Sequence, residues 1–346
     1  MNTLSIANLS MTYFYGAKAI DNLNLTVSSG ECVAILGESE SGKTSLVKCI
    51  AGLYPASEGN IYINNKDVTN LKIKDRDVLL LFDDCGIIGR KSVRFNLEYP
   101  LKLRKISRSF RRDKSEEVAR ECGIYPLLSD RGYLLGEEDK VRLAVARIKM
   151  RKSNVVLIDD IFKMVSSASR KNTFLAMLPH INNIETPVIF TTTSVDEAFT
   201  LSDKIVVMRY GIIEQIGTRK SLIEHPNTVY IDKFINPYRC RIDANVESNS
   251  TGSYVKILGK KVYKSLLKKY VGQNVIVSFI AKECETGRVY AVKDMLYNGG
   301  VCYAKLENDI TLIAPIERRG YCVEAVEESV NIYDSCTERL VEAMDE

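Results

Sequence analysis

Apolar residues fall into two textures along this chain. Up to about residue 235, short unbroken apolar runs alternate with segments of helical period. Cys32-Val33-Ala34-Ile35-Leu36, Val78-Leu79-Leu80-Leu81-Phe82, Val155-Val156-Leu157-Ile158-Asp159, Val188-Ile189-Phe190-Thr191 and Ile205-Val206-Val207-Met208 read as strands. Ser45-Leu46-Val47-Lys48-Cys49-Ile50 and the stretch from Asp139 to Lys152 read as helices. That alternation predicts an α/β core with a largely parallel sheet. From Tyr238 onward the texture changes to short alternating segments between turn signals: Asn274 to Ile280, Val289 to Val292 and Thr311 to Ala314. A second, smaller, all-β domain is expected there, with the boundary near Asn236-Pro237 and a loop over Glu247-Ser248-Asn249-Ser250-Thr251-Gly252-Ser253.

Between the first apolar run and the first helix stands Gly37-Glu38-Ser39-Glu40-Ser41-Gly42-Lys43-Thr44, followed by Ser45. Spacing and context are those of a phosphate-binding loop. Glycines let successive backbone N–H groups converge on phosphate oxygens at a helix N-terminus, Lys43 adds a mobile positive charge, and the Thr44 hydroxyl can ligate Mg²⁺.

Composition narrows the picture without adding chemistry. The 346 residues are 45% hydrophobic and 27% charged, enough chain for two domains and an ordinary globular balance. A net charge of +4 is too small and too evenly spread to indicate nucleic acid, so no nucleic-acid partner is expected. The basic run Arg104-Lys105-Ile106-Ser107-Arg108-Ser109-Phe110-Arg111-Arg112 is short and followed by Glu116 and Glu117, which suits a solvated helix face or loop. The nine cysteines occur singly, without a C-x-x-C pair and with only His180 and His225 beside them. Reduced structural thiols are expected, not a zinc site. The N-terminal residues lack the basic start and apolar core of a signal peptide, and no apolar run approaches the ~20 residues needed to span a bilayer, so any membrane work is expected to go through a partner.

A P-loop hydrolase also needs an acidic residue at the end of a buried strand to hold Mg²⁺, and the run ending at Asp159 supplies it. With that residue the chain resembles the ATPase subunit of an ABC transporter. The likeness covers the P-loop, Asp75-Arg76-Asp77-Val78 through Phe82 to Val93-Arg94-Phe95-Asn96-Leu97, the helix Val141 to Arg147, the strand ending at Asp159, and Asp196-Glu197-Ala198-Phe199-Thr200-Leu201-Ser202-Asp203. The tail, with segments such as Val330 to Leu340, resembles the oligonucleotide-binding-like (OB-like) domain of importer ATPases that serve sugars, polyamines or ferric iron. The resemblance implies an ABC nucleotide-binding domain over residues 1–236, with a helical subdomain at about 84–150, and an OB-like regulatory domain over 237–346. It implies ATP and Mg²⁺ as ligands, with Thr44, Asp159 and Asp83 at the metal. It makes Tyr15 the adenine-stacking aromatic, with Tyr13 as the competing candidate.

Departures from the family pattern change what that likeness implies. The water-polarising glutamate after the strand-end aspartate is Asp160, one methylene shorter, and a misplacement of ~1 Å can cost on the order of 10²-fold in rate. The γ-phosphate histidine aligns with Thr193, whose hydroxyl is short and uncharged. The glutamine that touches Mg²⁺ at the permease contact aligns with Asp83. Within the P-loop, Glu40 replaces a customary small residue. The signature Leu-Ser-Gly-Gly-Gln, which closes on the nucleotide of the opposite subunit, aligns with Leu135-Gly136-Glu137-Glu138-Asp139. Those carboxylates repel a polyanion, and equally they are the residues that stabilise a helix start.

This chain is therefore altered in both sets of groups: in a homodimer neither composite site is complete, and in a heterodimer each contains at least one altered half. The expectation is an ABC importer subunit that binds ATP-Mg²⁺, docks on membrane permease subunits at the cytoplasmic face of the membrane, meets an extracellular solute-binding protein only indirectly, and hydrolyses weakly or not at all. A second, more competent ATPase is the favoured partner and a homodimer the alternative. A slow but active homodimeric ATPase and an ATP-binding regulator or scaffold remain alternatives. A sugar or related solute is the expected cargo, although importers of other solutes share the tail.

Overall fold

A computed structural model describes residues 3–182, 185–283, 289–298, 301–306, 310–313, 320–326 and 329–341. Cys284 and Ala314 lie outside them. By contacts the chain divides into two units, Met1–Ile216 and Gly217–Glu346.

The first unit opens with β1 (Leu4–Thr12) and β2 (Lys18–Val27), continues through β3 (Cys32–Leu36) into α1 (Lys43–Ala51), and returns through β4 (Glu58–Ile63) and β5 (Lys66–Asp67). β1, β2, β4 and β5 form an antiparallel sheet in the order β2-β1-β4-β5. Next come β6 (Val78–Leu81), α2 (Val93–Leu103), α3 (Arg108–Glu121) and α4 (Glu137–Met150). The unit ends with β7 (Val155–Asp159), α5 (Ser167–Asn182), β8 (Val188–Thr192), α6 (Val195–Leu201), β9 (Lys204–Arg209) and β10 (Ile212–Gly217).

The second sheet runs β10-β9-β3-β8-β7-β6, and its pairs β9-β3, β3-β8, β8-β7 and β7-β6 are all parallel. Every residue of β3, β7 and β8 is buried, which explains why those strands read as unbroken apolar runs. The expected parallel α/β core is present. One large core joins the two sheets through α1, with Leu46, Val47 and Ile50 against residues such as Ile6, Leu25, Val33 and Leu157. A separate core holds α2, α3 and α4 together through Val93, Leu97, Val118, Leu143 and Ala146. Parallel register brings Leu36 beside Thr192, and Thr191 beside Asp159, at the carboxyl ends of neighbouring strands. Ligands of α/β sheets gather at that edge.

One local expectation is corrected and another met. The helix read as Asp139 to Lys152 spans Glu137–Met150, because its acidic residues fill the first turn, where the helix dipole favours them. The basic run lies, as expected, on an exposed loop and helix face: it straddles the end of α2 and the start of α3, and Arg111 and Arg112 there pair with Glu98 and Glu116.

In the second unit, α7 (Arg219–Glu224) and α8 (Val229–Ile235) precede β11 (Cys240–Asn245), β12 (Glu247–Asn249), β13 (Gly252–Ile257), β14 (Lys260–Tyr263) and β15 (Asn274–Phe279). Then follow β16 (Ala281–Glu283), β17 (Val289–Asn298), β18 (Val301–Leu306), β19 (Thr311–Ile313), β20 (Gly320–Ala325) and β21 (Asn331–Asp334). Two three-stranded sheets, β11-β15-β21 and β12-β13-β14, accompany a closed five-stranded barrel, β16-β19-β18-β17-β20. From Cys240 on, the described regular elements are strands and one 3₁₀ helix, Ser265–Tyr270, whereas the unit as a whole also includes α7 and α8. The expected loop at Glu247 to Ser253 is instead a tight hairpin: Glu247 pairs with Tyr254, and the Asn249 side chain accepts from the Thr251 and Gly252 N–H groups at its turn. α8 belongs to this unit by packing. Val229 joins Tyr333 and Leu340 in a small core, and the fully buried Asp232 accepts from Ser278 at 2.6 Å and pairs with Arg239 and Arg241 at 3.2 and 2.7 Å.

Candidate functional site

The phosphate loop is shaped by two positions that admit no side chain. A Cβ on Gly37 would lie 2.4 Å from the Met208 carbonyl, and Gly42, at φ 101°, would press one against the Ala19 carbonyl at 2.5 Å. Glu38, Ser39 and Glu40 stand exposed on the turn between them, Glu40 itself in left-handed backbone at φ 67°, while Ser41 is buried. Lys43 is folded back into the loop. Its ammonium donates to the Gly37 and Glu38 carbonyls at 2.8 and 2.6 Å and to the Ser41 hydroxyl at 3.2 Å. Burial pulls the Lys43 pKa down, and nearby Asp160 and Asp159 oppose that shift.

Thr44, the second residue of α1, donates a hydrogen bond from its hydroxyl to Asp159 Oδ1 at 3.1 Å. Thr191, next to Asp159 in the sheet, donates to the same oxygen at 2.8 Å. With its O–H directed at Asp159, the Thr44 oxygen keeps its lone pairs available. Lone pairs there, one strand-end carboxylate and a loop able to hold phosphate make the donor set Mg²⁺ takes with nucleotides. Among the described residues no group of three or more His, Cys, Asp or Glu is placed to hold a metal. Cys32, Cys49, Cys85, Cys122, Cys240 and Cys336 are free thiols.

Asp160 follows in left-handed backbone, φ 47°, at the start of a short 3₁₀ turn, Ile161–Met164. Burial, and then the charge of Glu197, push its pKa up to about 6. Glu197, buried on α6, has its own pKa raised by burial and accepts a 2.5 Å hydrogen bond from Thr192. Thr193 is exposed on the bend just after β8, and Asp83 is exposed on the turn just after β6. No hydrogen bond joins either to Thr44, Asp159 or Asp160 among the described residues.

A cleft of about 560 Å³ opens over the loop, lined by Tyr13, Tyr15, Glu40, Lys43, Thr44 and Ser45 among others. Tyr13 and Tyr15 stack with centroids 5.1 Å apart and planes 7° from parallel. Tyr13 is half-buried and hydrogen-bonded to the Ser45 hydroxyl at 2.8 Å, whereas Tyr15 is 66% exposed. Tyr15 is therefore the more accessible ring of the pair, with Tyr13 stacked on one face and Phe14 edge-on to it at 5.3 Å.

The signature segment stands apart from this cleft. Leu135 is buried in the helical core, Gly136 is the N-cap of α4, and Glu137, Glu138 and Asp139 form its first turn. Gly136 is not conformationally required: its φ is −66° and a Cβ would meet nothing within 4 Å. Sequence reasoning singled out neither Thr191, Thr192 nor Glu197 for a role at the site. Aligning the ends of the two strand-like runs at Asp159 and Thr191 would have signalled the first.

The ABC transporter family pattern matches residues 20–163. The sn-glycerol-3-phosphate import ATP-binding protein UgpC of Bartonella bacilliformis is 33% identical over 235 residues, 68% of this chain and 68% of that protein. The oligosaccharides import ATP-binding protein MsmX of Bacillus subtilis is 30% identical over 271 residues, 76% of this chain and 74% of its own length. Among solved structures, the dimeric ATP-binding cassette MJ0796, bound to ADP and Pi, superposes with a TM-score of 0.56 at 23% identity, over 62% of this chain and 98% of that one, a likeness of fold. With a P-loop, a strand-end aspartate and a helical subdomain in one α/β unit, and relatives of this identity and span, the chain belongs to the ABC transporter family, as a bearer of its ATP-binding domain.

Proposed function

We propose that this protein is the nucleotide-binding subunit of an ABC importer that holds ATP-Mg²⁺ firmly and hydrolyses it weakly or not at all. One contrast carries the reading. Gly37, Gly42, Lys43, Thr44 and Asp159 keep the geometry and chemistry of a phosphate and metal site, while Asp160, Thr193, Asp83, Glu137 and Glu138 depart from the groups that complete hydrolysis. Lys43 and the loop N–H groups would take the phosphates, Thr44 and Asp159 the metal, with Asp83 as a further candidate ligand, and Tyr15 the base. Bound Mg²⁺ would neutralise phosphate charge. Asp160 would hold a proton acceptor near the phosphate end, one methylene short of the family's glutamate, and Thr193 offers a hydroxyl where the family offers an imidazole.

Residues 1–236 are the proposed nucleotide-binding domain, with a helical subdomain at about 84–150 and a permease-coupling surface around Asp83 to Leu97, and 237–346 the proposed regulatory domain. The relatives named above, which import sn-glycerol-3-phosphate and oligosaccharides, support solute import, with a sugar or related solute as cargo. On that basis the subunit sits peripherally at the cytoplasmic face of the membrane, on permease subunits and beside a more competent ATPase.

A slow homodimeric ATPase is the second reading, favoured by one observation: a carboxyl with its pKa near 6 is a serviceable base at neutral pH. ATP binding and turnover by the purified chain, alone and with candidate partner ATPases, separate the two. Tight binding without turnover, with binding lost in Lys43→Ala, is expected. Turnover at ordinary ABC rates by the isolated chain, abolished by Lys43→Ala, would overturn the weak-hydrolysis reading.

A further inference from the structure

The hairpin joining β9 to β10 turns on two residues, Tyr210 and Gly211, and both are left-handed, at φ 48° and 81°. Two-residue hairpins of this kind favour Asn, Asp or Gly at the first position, because a Cβ is strained there. A tyrosine is a costly choice, and packing does not repay it, since Tyr210 is 78% exposed.

Tyr210 instead lines the cleft over the phosphate loop, the same cleft that Tyr13, Tyr15, Lys43 and Thr44 line. The turn is fixed to that loop. Gly211 N–H donates to the Ser41 carbonyl at 3.1 Å, and the Gly211 carbonyl accepts from Asp21 N–H at 2.9 Å. Contact is so close that a Cβ on Gly42 would lie 3.3 Å from Gly211 Cα. The Arg209 guanidinium lies 4.8 Å from the Tyr210 ring centroid, which helps to hold the ring in place.

We infer that Tyr210 is a second aromatic wall of the nucleotide site, which contacts the purine base of the ligand together with Tyr15. This deepens the ATP-binding reading and rests on it. A ring on a strained turn, bolted to the phosphate loop and left open to solvent, suits a flat apolar ligand whose charged end lies in that loop. Base–aromatic stacking is tolerant of sequence and strong enough to set affinity.

The experiment measures equilibrium binding of ATP and of inorganic tripolyphosphate, which has no base, to the full chain and to Tyr210→Asn and Tyr210→Phe. Asparagine suits the left-handed position, so the turn survives while the ring is lost. Tyr210→Asn is expected to weaken ATP about tenfold and to leave tripolyphosphate within about twofold, while Tyr210→Phe stays within about twofold for both. The chain contains no tryptophan, so Tyr210→Trp gives a single reporter whose fluorescence should respond to ATP and not to tripolyphosphate. Unchanged ATP affinity in Tyr210→Asn, or equal weakening of ATP and tripolyphosphate, overturns the inference while leaving the phosphate site standing. Failure of the unaltered chain to bind either ligand overturns the ATP-binding reading, and this inference with it.

Discussion

Asp160 is half-buried in left-handed backbone between Lys43 and Glu197, and its carboxyl carries a pKa of about 6 against an ordinary 3.8. A raised carboxyl pKa means that the folded state takes up the proton more readily than the unfolded chain. Its ionised form therefore costs stability: the cost is absent below about pH 3.8, grows as pH rises through the window to about 6, and is complete above it. Asp160→Asn removes that cost. In metal-free protein the substitution is expected to stabilise the first unit by on the order of 1–2 kcal/mol at pH 7.5, with the difference vanishing near pH 4, as read from urea midpoints. Equal midpoints at pH 7.5 would show that the burial is relieved in solution. At this scale the sequence was most legible where chemistry and spacing coincide, at Lys43, Thr44 and Asp159. Thr191 and Glu197 escaped it because each acquires its role through a neighbour: Thr191 from the register of β8 against β7, and Glu197 by folding back onto Thr192 from α6.

α4 begins with three acidic residues behind an N-cap, Gly136, that makes no side-chain capping bond. The macrodipole makes those carboxylates favourable to the helix by a few tenths of a kcal/mol each, up to about 1 kcal/mol. If this segment closes on a nucleotide carried by another subunit, as proposed, their charge would oppose that approach, and helix stability and subunit closure would pull in opposite directions. Gly136→Ser combined with Glu137→Gly and Glu138→Gly should therefore lower the thermal midpoint slightly and strengthen ATP-dependent self-association, followed by light scattering. Loss of stability without a gain in association would assign the acidic turn to helix capping alone. Combining Asp160→Glu and Thr193→His with that restored segment should raise turnover above either set alone. Existence and order of elements were legible because the unbroken runs are strands, three of them, β3, β7 and β8, buried at every residue. Element ends were less so: the start of α4 is set by charge, and the Asn249 turn by a side-chain hydrogen bond that periodicity does not encode.

The two units have their own cores, one on the paired sheets around α1 and one inside the β-rich second unit. Asp232 anchors the second, fully buried and held by Arg239, Arg241 and Ser278. Removing one member of a buried charge cluster leaves the others unpaired, so Asp232→Ala should destabilise that unit by about 3–5 kcal/mol. Hydrogen exchange resolves it: faster exchange in β11, β15 and β21, with ATP protection of the phosphate loop retained. The change of texture at Tyr238 was visible in the sequence; the packing of α8 with that unit was not, because it depends on distant partners such as Tyr333, Leu340 and the Thr228–Arg339 bridge. Finally, β3, the strand that launches the phosphate loop, lies between β8 and β9. During synthesis it leaves the ribosome long before either neighbour exists, an apolar strand with both edges open. Until Val188 and Lys204 have emerged it has nothing to pair with in this sheet, and until Gly211 follows, the loop lacks its fastening at Ser41. A nascent chain therefore gains its hold on nucleotide late and all at once, and in the interval its safety rests on whatever shields Cys32–Leu36 from other chains.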